Sequence, residues 1–313
     1  MRRRSLGKTG IEIPELCLGT WGLSGDGYGP VEEADQDSVI ERALALGMLA
    51  FETADVYAQG AMESRLGRLL EKHPDAIVIT KVGTDRSATP PVKRFDDEYL
   101  AEAIDKSQQR LKRPIDVLLL HNPSTIALGK KPSIELLEKS VKDGKVRFWG
   151  ASVGDAETGR IAIEAGAQVL QVAYSAFHPQ DLHGVLEHAK KQGVGILARS
   201  VLAHGLLCGQ WPTTKAFGSD DHRRDRWTND ELKKRISQLA ALRPSVVGNV
   251  TSMRAAALRY ALSEDAISSV VIGPRSTLQL DQLVRDAGKE PPYLADDARS
   301  SLVRRLENVG IRP

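Results

Sequence analysis

Short apolar segments bounded by turn residues recur along the chain, and within each segment the apolar positions are continuous rather than alternating. Such runs are typical of parallel β-strands that are buried on both faces. Eight segments have this form: ELCLG from residue 15, MLAF from 48, AIVIT from 76, IDVLLL from 115, VRFWGAS from 146, VLQVAY from 169, GILARS from 195 and SSVVIG from 268. We therefore predict eight strands.

The stretches between these segments carry helical patterns that are long enough to connect parallel strands. In residues 96–113, for example, Leu100, Ile104 and Leu111 recur at helical spacing. Up to the seventh segment, the starts lie roughly 23 to 39 residues apart, which is the size of a βαβ unit. Eight such units close a barrel, so the predicted fold is α/β, a (β/α)8 TIM barrel that spans residues 1–313 as one domain.

The sequence near both ends of the chain predicts further elements outside the barrel. The GKTG turn at residues 7–10 predicts an N-terminal β-hairpin that covers the barrel floor. An extra helical region is expected from about residue 230 to 263, where Thr228 and Glu231 are spaced as a capping box. A further C-terminal helix is expected near residues 296–307.

An open, doubly wound sheet is the alternative architecture. Its glycine fingerprint would follow the first strand, and the glycine-rich segment GLSGDGYGP stands there at residues 22–30. However, Pro30 occupies the place where the fingerprint that starts at Gly25 and Gly27 needs glycine or alanine, and no helix opens directly from the segment. We interpret it as a flexible loop over the mouth of a barrel.

Composition narrows the possible partners. The 43 basic and 41 acidic side chains give a net charge of only +2, which argues against a surface that binds nucleic acid. The start of the chain lacks the apolar region of a secretion signal, and no apolar run is long enough to span a membrane, so a cytoplasmic protein is expected. Cys17 and Cys208 lack the spacing of metal ligands or of a disulfide framework, and we expect both to be buried.

Polar residues follow the predicted strands, and the active site of a TIM barrel lies at the carboxyl ends of its strands. We expect four of these side chains to converge: Glu52, Tyr57, Lys81 and His121. An ammonium group beside a phenol lowers the pKa of the phenol, a carboxylate keeps the lysine charged, and a histidine offers a second contact to a substrate oxygen. Together these groups can donate a proton to, or accept one from, a carbonyl compound.

Several motifs occur in the order and spacing of one protein family: LGKTG, GTWG, FETADVYAQGAME, ITKVG, DVLLLHNP, GKVRFWGASVG, QVAYS, ARSVLAHGLLCG and VVIGPRSTLQL. Over essentially its whole length the chain resembles an aldo-keto reductase. The resemblance implies a (β/α)8 barrel that reduces small-molecule carbonyl compounds and binds a nicotinamide dinucleotide, usually NADP(H), without a Rossmann domain.

The resemblance also implies roles for individual residues. Tyr57 would be the general acid, Lys81 would lower its pKa, His121 would orient the carbonyl group, and Glu52 stands where the family has the aspartate that pairs with the lysine. Ser152 and Gln171 would bind the nicotinamide carboxamide, and Arg275 the 2′-phosphate. The full set of expected cofactor-binding residues is Trp21, Ser152, Gln171, Tyr174, Arg199, Ser200, Leu202, Gly205, Gly273, Arg275 and Gln279.

Glutamate in place of aspartate at position 52 leaves three interpretations open. Glu52 folds back and keeps the pair with Lys81, which leaves a working reductase. Alternatively, its extra methylene displaces Lys81 or Tyr57 and leaves a nucleotide-binding protein with little turnover. In the third, the longer acid is a general base for a non-redox lyase or isomerase reaction, while nearby Asp55 is either a loop acid or takes part of the charge role.

The sequence does not specify the substrate or the oligomeric state. Arg199 stands where many members of the family have an aromatic residue, and Leu283 and Ser276 depart from the usual adenine-side residues, so the preference for NADPH over NADH is also open. Ser276 and Gln279 are spaced as a second capping box. The polar stretch 211–229 is either a lid or a mobile loop. Suggested pocket residues are Trp21, Tyr28, Asn122, Phe177, His178, Arg226 and Trp227.

Overall fold

The computed structural model describes residues 1–312 and contains a closed barrel of eight parallel strands. Each barrel strand pairs with the next one along the chain, and the last pairs with the first. The strands of this part of the chain are β1 (Arg3–Ser5), β2 (Glu12–Pro14), β3 (Leu16–Gly19), β4 (Ala50–Glu52), β5 (Ile77–Val82), β6 (Thr84–Asp85), β7 (Val92–Lys93), β8 (Ile115–His121), β9 (Val146–Ser152), β10 (Val169–Ala173), β11 (Gly195–Arg199) and β12 (Ser269–Ile272).

Helices surround the barrel and connect its strands. They are α1 (Glu33–Ala45), α2 (Ala61–Leu69), α3 (Asp97–Leu111), α4 (Thr125–Leu128), α5 (Lys131–Lys142), α6 (Ala156–Glu164), α7 (Gln180–Gln192), α8 (Asn229–Gln238), α9 (Met253–Leu262), α10 (Thr277–Ala287) and α11 (Asp296–Asn308). None of the helices within residues 1–312 is long and apolar enough to cross a membrane.

All eight predicted strands are present, and they are the strands of the barrel. The (β/α)8 prediction is therefore confirmed, and the open doubly wound sheet is excluded because β12 pairs with β3 to close the barrel. The predicted terminal helix is confirmed as α11.

The N-terminal hairpin is also confirmed. Strands β1 and β2 pair antiparallel, with Arg3 opposite Pro14. Leu6, Ile11 and Ile13 from this hairpin are buried in the core inside the barrel, so the hairpin closes the floor. A glycine is required in its turn, because Gly7 has φ +55° and a Cβ there would lie 2.4 Å from the Gly193 carbonyl oxygen.

The apolar core has two layers, and the inner one determines where the polar residues lie. Inside the barrel, Cys17, Ile79, Leu119 and Leu197 pack above the hairpin with other apolar side chains. A larger cluster fills the space between the outer faces of the strands and the helices. Because apolar side chains fill the lower barrel, the inward polar side chains are confined to the carboxyl ends of the strands.

Three local features differ from the sequence predictions, whereas the helical region expected from about residue 230 to 263 is present as α8 and α9, with 3-10 turns between them. Residues 84–93 form the β6–β7 hairpin, whose strands have only two residues each and were not predicted. Gln279 accepts a hydrogen bond from Arg275 N rather than from Ser276 N, so α10 has half of a capping box. Cys17 is buried as expected, but Cys208 is only half-buried.

The capping box at the start of α8 is present as predicted. The Thr228 side chain accepts a hydrogen bond from Glu231 N, and the Glu231 carboxylate accepts one from Thr228 N at 2.8 Å. This reciprocal pair satisfies two amide groups that a helix otherwise leaves free at its N-terminus.

Candidate active site

Strand register brings three polar residues into one row at the mouth of the barrel. His121 on β8 is opposite Ser152 on β9, and Ser152 is opposite Gln171 on β10. On the other side of the barrel, Glu52 at the end of β4 is opposite Gly19 at the end of β3. A hydrogen bond from Gln171 Nε2 to Glu52 Oε1 joins these two sides above the apolar inner core.

Lys81 lies at the centre of the predicted catalytic group. Its ammonium group donates hydrogen bonds to the Thr53 carbonyl oxygen at 2.7 Å and to Tyr57 Oη at 3.0 Å, and it forms an ion pair with Glu52 Oε1. The Lys81 side chain is only 2% exposed, so all three of its N–H groups need partners in the protein, and all three have them. Its direction is therefore fixed by these partners.

Glu52 occupies the aspartate position of the family pattern and keeps the pair with Lys81. It also accepts a hydrogen bond from Gln171 Nε2 at 2.8 Å. Gly19, on the neighbouring strand, borders the carboxylate, and a Cβ there would be in ordinary van der Waals contact with Glu52 Oε2, at 3.4 Å. Of the three interpretations of Glu52, the contacts are those of the first.

The charges of Lys81 and Tyr57 are set by burial and by each other. Burial lowers the pKa of Lys81, but the Glu52 carboxylate and Tyr57 outweigh this effect and raise the pKa above its usual value. Burial raises the pKa of Tyr57, and although Lys81 lowers it, the net direction is upward. The expected lowering effect of Lys81 on the Tyr57 pKa is present, but desolvation of the phenolate exceeds it.

His121 lies beside Tyr57, with the two rings edge to face and their centroids 6.1 Å apart. Burial, and then the charges of Lys81, Lys93 and Arg199, lowers the pKa of His121 well below its usual value. The imidazole is therefore neutral at physiological pH. Its buried Nδ1 atom has no hydrogen-bond partner within residues 1–312, which leaves polar capacity for a ligand.

Asp55 does not share the role of Glu52. Burial, and then the Glu63 carboxylate on α2, raises its pKa to about 7, and the Arg110 guanidinium on α3 opposes this shift. Asp55 forms no ion pair with Lys81, and its buried Oδ1 atom has no hydrogen-bond partner among the described residues. Asp55 is therefore a half-buried acid that is partly protonated at neutral pH.

Left-handed backbone conformations concentrate at the mouth of the barrel. Six of the seven non-glycine residues with positive φ in residues 1–312 follow β4, β8 or β11, and the seventh, Lys112, ends a helix. The six are Ala58, Gln59, Asn122, Ser200, Ala203 and His204. Such conformations cost about 1–3 kcal/mol each and persist where the surrounding structure enforces them, often at functional sites.

Asp26 shows how one of these turns is held. Its carboxylate accepts a hydrogen bond from Ala58 N at 2.7 Å, and Ala58 has φ +47° directly after Tyr57. Asp26 thus links the glycine-rich loop to the turn that carries the phenol. The role of Asp26 could not be predicted from the sequence, because no local pattern indicates which loop an isolated aspartate will contact.

The loop at residues 22–30 and the segment at residues 211–229 meet over the barrel mouth. Tyr28 and Asp221 form an antiparallel bridge, and His222 N donates a hydrogen bond to the Gly27 carbonyl oxygen at 2.9 Å. Gly27 is required because a Cβ there would lie 2.6 Å from the Trp21 ring. The polar segment therefore covers the mouth in contact with the glycine-rich loop, and its opening as a lid stays a prediction.

Aromatic and imidazole rings form the inner surface of this cover. Trp21 packs against Tyr28 and His222, with ring centroids 5.1 and 4.7 Å away. His204 lies 5.2 Å from His222 and was not identified from the sequence. Burial, and then the charge of Arg226, lowers the pKa values of His204 and His222 to about 3 and about 4, so both rings are neutral at physiological pH.

Ser152 and Gln171 fit a ligand that carries a carboxamide. Both side chains are buried at the mouth. The Gln171 amide nitrogen is bound to Glu52, but its buried Oε1 atom has no partner within the described residues. The Ser152 hydroxyl group forms no hydrogen bond within residues 1–312. An unpaired acceptor beside a free hydroxyl group suits the NH2 and C=O groups of a nicotinamide carboxamide.

The segment after β11 contains three of the left-handed residues named above, Ser200, Ala203 and His204. Ser200 has φ +60° and Gly205 φ +93°, while Leu202 accepts hydrogen bonds from Gly205 N and Leu207 N. Arg199 at the start of this segment donates a hydrogen bond to the Val153 carbonyl oxygen at 2.9 Å. These residues follow β11 at the mouth of the barrel, and their contact with a cofactor stays a prediction.

On the β12 side, Arg275 binds protein groups. Its guanidinium group donates hydrogen bonds to the carbonyl oxygens of Gly22, Gly29 and Pro30 at 2.9–3.2 Å, through Nε and Nη2. Gly273 packs against the same loop, because a Cβ at Gly22 would lie 3.1 Å from the Gly273 carbonyl oxygen. Arg275 thus ties the start of α10 to the glycine-rich loop, and its Nη1 atom is left for another acceptor.

Tyr174 was expected to bind the cofactor, but its side chain does not face the barrel mouth. Its ring stacks on Tyr260 of α9, with centroids 5.6 Å apart, and lies 6.0 Å from His183 of α7. The side chain therefore faces the helices rather than the barrel mouth, since side chains alternate along a strand and Gln171, three residues earlier, points inward. Among the suggested pocket residues, His178 is paired with Asp181 at 2.7 Å, and Phe177 is buried in the outer core.

A cavity of about 220 Å³ opens at the opposite end of the barrel. It is lined by Lys8 and Thr9 of the hairpin and by residues before β10 and β11, such as Gln168 and Val194. These residues lie at the amino ends of the strands, far from Tyr57. The described residues contain no group of three or more His, Cys, Asp or Glu side chains that could hold a metal ion.

Comparisons with known proteins relate this fold and this site to one family. Residues 15–291 match the model of the Aldo/keto reductase family. The chain is 28% identical over 295 residues to L-galactose dehydrogenase of Arabidopsis thaliana, covering 90% of this chain and 86% of the relative. It is 26% identical over 306 residues to L-glyceraldehyde 3-phosphate reductase of Escherichia coli (strain K12), covering 91% and 87%.

Solved structures show the same fold. Glycerol dehydrogenase from Gluconobacter oxydans superposes with a TM-score of 0.85 at 24% identity, covering 99% of this chain and 97% of that chain. An aldo-keto reductase from Bacillus halodurans, in its holo form, superposes with a TM-score of 0.81 at 23% identity, covering 97% and 96%.

Proposed function

The chain belongs to the aldo/keto reductase family, and we propose that it reduces an aldehyde or ketone to the alcohol with NADPH, as one catalytic domain over residues 1–313. The observation that carries this proposal is the hydrogen bond from Lys81 Nζ to Tyr57 Oη at 3.0 Å, with Glu52 and Thr53 as the other partners of the same ammonium group. This arrangement fits a phenol that gives up its proton to a substrate oxygen.

Tyr57 would act as the general acid. Its oxygen accepts a hydrogen bond from Lys81, so its own O–H group remains free to donate to a carbonyl oxygen. As the carbonyl oxygen takes the proton, the electron pair of the O–H bond stays on the phenolate, which the Lys81 ammonium group stabilises. Bound NADPH supplies the hydride that adds to the carbonyl carbon. Water then returns a proton to Tyr57.

His121 would position the substrate. Because the imidazole is neutral, it carries one N–H group, which can donate to the carbonyl oxygen without protonating it. Placed beside the Tyr57 ring, it gives the carbonyl oxygen two donors and so fixes its direction.

The residues that would hold the cofactor border the same mouth. Ser152 and Gln171 fit the carboxamide, the strained segment from Ser200 to Gly205 fits the pyrophosphate, and Arg275 Nη1 is available for a 2′-phosphate. The relatives named above act on a sugar, a sugar-like aldehyde phosphate and a polyol, and a small hydroxylated carbonyl compound is the substrate that these names suggest.

The proposal is tested by the steady-state rate of NADPH oxidation with a reactive nitrobenzaldehyde, for the natural protein, Tyr57→Phe and Tyr99→Phe. Tyr99 is half-buried on α3 and serves as the matched control. We expect turnover by the natural protein, unchanged turnover by the control and a loss of at least about a hundredfold in Tyr57→Phe, with unchanged NADPH binding. Equal rates for all three proteins, or no oxidation by the natural protein, would overturn the proposal.

A further inference from the structure

The β6–β7 hairpin carries two cationic side chains that contact the main chain at the predicted catalytic residues. Arg86, just after β6, donates a hydrogen bond from Nη1 to the Val56 carbonyl oxygen at 2.8 Å, one residue before Tyr57. Lys93, in β7, donates one from Nζ to the carbonyl oxygen of His121 itself at 2.7 Å. Hydrogen bonds from a charged donor are among the stronger ones in proteins. One short hairpin therefore binds the main chain at both residues.

The main chain on the other side of Tyr57 is bound by the partner of Arg86. Asp26 Oδ1 lies 3.4 Å from Arg86 Nη1, and Asp26 Oδ2 accepts the hydrogen bond from Ala58 N. The two peptide groups that flank the Tyr57 Cα atom are thus bound by the two members of one ion pair. Because both peptide groups are bound, the direction in which the Tyr57 side chain leaves the main chain is fixed.

Both cations act beside left-handed residues. Ala58 follows Tyr57 and has φ +47°, and Asn122 follows His121 and has φ +53°. Such conformations in non-glycine residues persist only where the surrounding structure enforces them. The carbonyl group of His121 that accepts from Lys93 belongs to the peptide bond that leads into Asn122. The two cations therefore bind the main chain where it would otherwise relax.

The hairpin can bind these groups firmly because its own strands are held together. Thr84 of β6 pairs with Lys93 of β7, and Thr84 Oγ1 accepts a second hydrogen bond from Lys93 Nζ at 2.7 Å. The Arg94 guanidinium group connects Asp85 of β6 to Asp96 at the start of α3, with N–O distances of 3.3 and 3.1 Å. The hairpin is thus anchored to the barrel and to a surrounding helix.

We propose that Arg86 and Lys93 are positioning residues for carbonyl reduction. This inference rests on the proposed reductase function. Arg86, together with Asp26, fixes the direction of the Tyr57 phenol, and Lys93 fixes that of the His121 imidazole. Each acts through the main chain of another residue, so that the two donors to the carbonyl oxygen keep their relative positions. Misplacement of a reacting group by about 1 Å can cost on the order of a hundredfold in rate, so the loss of one anchor should be measurable.

The experiment measures kcat with a reactive nitrobenzaldehyde, and the dissociation constant of NADPH, in the natural protein, Arg86→Met, Arg86→Lys, Lys93→Met and Arg94→Met. Arg94 is the matched control, because its side chain is about as exposed as that of Arg86, 43% against 39%. It also holds the hairpin, but through the side chains of Asp85 and Asp96. Thermal unfolding establishes that each variant is folded.

We expect kcat to fall about tenfold in Arg86→Met and in Lys93→Met, while NADPH binds as tightly as before. Arg86→Lys should recover most of the rate, because its ammonium group can still donate to the Val56 carbonyl oxygen, and Arg94→Met should keep the natural rate. An unchanged kcat in either Arg86→Met or Lys93→Met, or an equal loss in Arg94→Met, would overturn the proposal. A parallel loss of NADPH affinity would also overturn it and assign the hairpin to cofactor binding.

Failure of the reductase function itself would be recognised by a measurement that needs no turnover. The NMR signals of Tyr57 and His121, in protein that carries isotope-labelled tyrosine and histidine, are assigned by their loss in Tyr57→Phe and His121→Gln. Arg86→Met should shift the Tyr57 signal and Lys93→Met the His121 signal, while Arg94→Met shifts neither. These shifts would support the positioning contacts even in a protein that reduces no aldehyde. Signals that stay unchanged in Arg86→Met and Lys93→Met would contradict them.

Discussion

The same oxygen atom of Glu52, Oε1, pairs with the Lys81 ammonium group and accepts a hydrogen bond from Gln171 Nε2 at 2.8 Å. The glutamate therefore connects the lysine that holds Tyr57 with the amide that faces the expected nicotinamide site. Its extra methylene, relative to aspartate, lets one carboxylate reach both strands.

The Glu52–Lys81 pair is buried, so removing one partner should cost more than removing both. We expect Lys81→Met to lower the free energy of unfolding by about 3–5 kcal/mol, because it leaves the Glu52 carboxylate buried without its cation. Glu52→Gln combined with Lys81→Met should recover much of this loss while activity stays absent. Urea unfolding of the three proteins measures the effect, with the exposed Lys139→Met as a control that should change by less than about 1 kcal/mol. Additive losses in the double variant would contradict the buried pair.

The rate of carbonyl reduction should not depend on the ionisation of His121 as the pH changes. His121 has a pKa well below its usual value of 6.5, so it stays neutral as the pH falls through that value. Tyr57 has a raised pKa, so it keeps its proton up to at least its usual value of 10.0. A profile of kcat/KM against pH should therefore show no inflection near 6.5 from His121 and should fall only in strongly alkaline solution. An inflection near 6.5 that disappears in His121→Gln would show that the imidazole is charged below that pH.

Asp55 should make stability depend on pH around neutrality. Its folded-state pKa of about 7 lies above the ordinary value of 3.8, so the folded chain holds this proton more tightly than the unfolded chain. The resulting penalty is absent below the ordinary value, grows as the pH rises and is complete above about 7. We expect Asp55→Asn to stabilise the protein more at about pH 8 than at about pH 5, as measured by urea unfolding.

The exposed Asp75→Asn provides the control for this comparison, because an exposed acid should not contribute a pH-dependent gain. If Asp55→Asn gives the same change in unfolding free energy at both pH values, the raised pKa of Asp55 is wrong.

Arg275 should favour NADPH over NADH and also hold the glycine-rich loop in place. Three of its hydrogen bonds hold that loop, and Nη1 remains for a 2′-phosphate. We expect Arg275→Met to weaken NADPH binding about tenfold more than NADH binding, measured by fluorescence titration, because only NADPH carries the extra phosphate. The exposed Arg285→Met, on the helix α10 that follows Arg275, is the control. Equal weakening of both dinucleotides would assign Arg275 to loop attachment alone.

Much of the fold could be predicted from the sequence, because the barrel depends on repeated signals. Eight continuous apolar segments separated by helical stretches leave few alternatives, and each segment became a strand. The β6–β7 hairpin escaped prediction since two-residue strands carry no periodicity. Tyr174 was assigned to the cofactor site, although alternation from the inward-facing Gln171 directs its side chain toward the helices.

The site was predicted less completely than the fold, for physical reasons. Glu52, Tyr57, Lys81 and His121 could be grouped because each lies at or just after the carboxyl end of a strand, and the carboxyl ends of parallel strands meet. The sequence could not reveal that burial outweighs Lys81 in setting the Tyr57 pKa, since desolvation depends on all the atoms around the phenol. Nor could it show that Glu52 reaches Gln171, a contact between residues 119 positions apart.

The most direct test of the account is the steady-state rate of NADPH oxidation with a reactive aromatic aldehyde, measured side by side for the natural protein and Glu52→Asp. We expect the natural protein to turn over and the variant to be slower by between about tenfold and a hundredfold, because the shorter acid cannot hold Lys81 and Gln171 at once. A natural protein that is nearly inert, with turnover gained in Glu52→Asp, would contradict the claim that Glu52 supports carbonyl reduction.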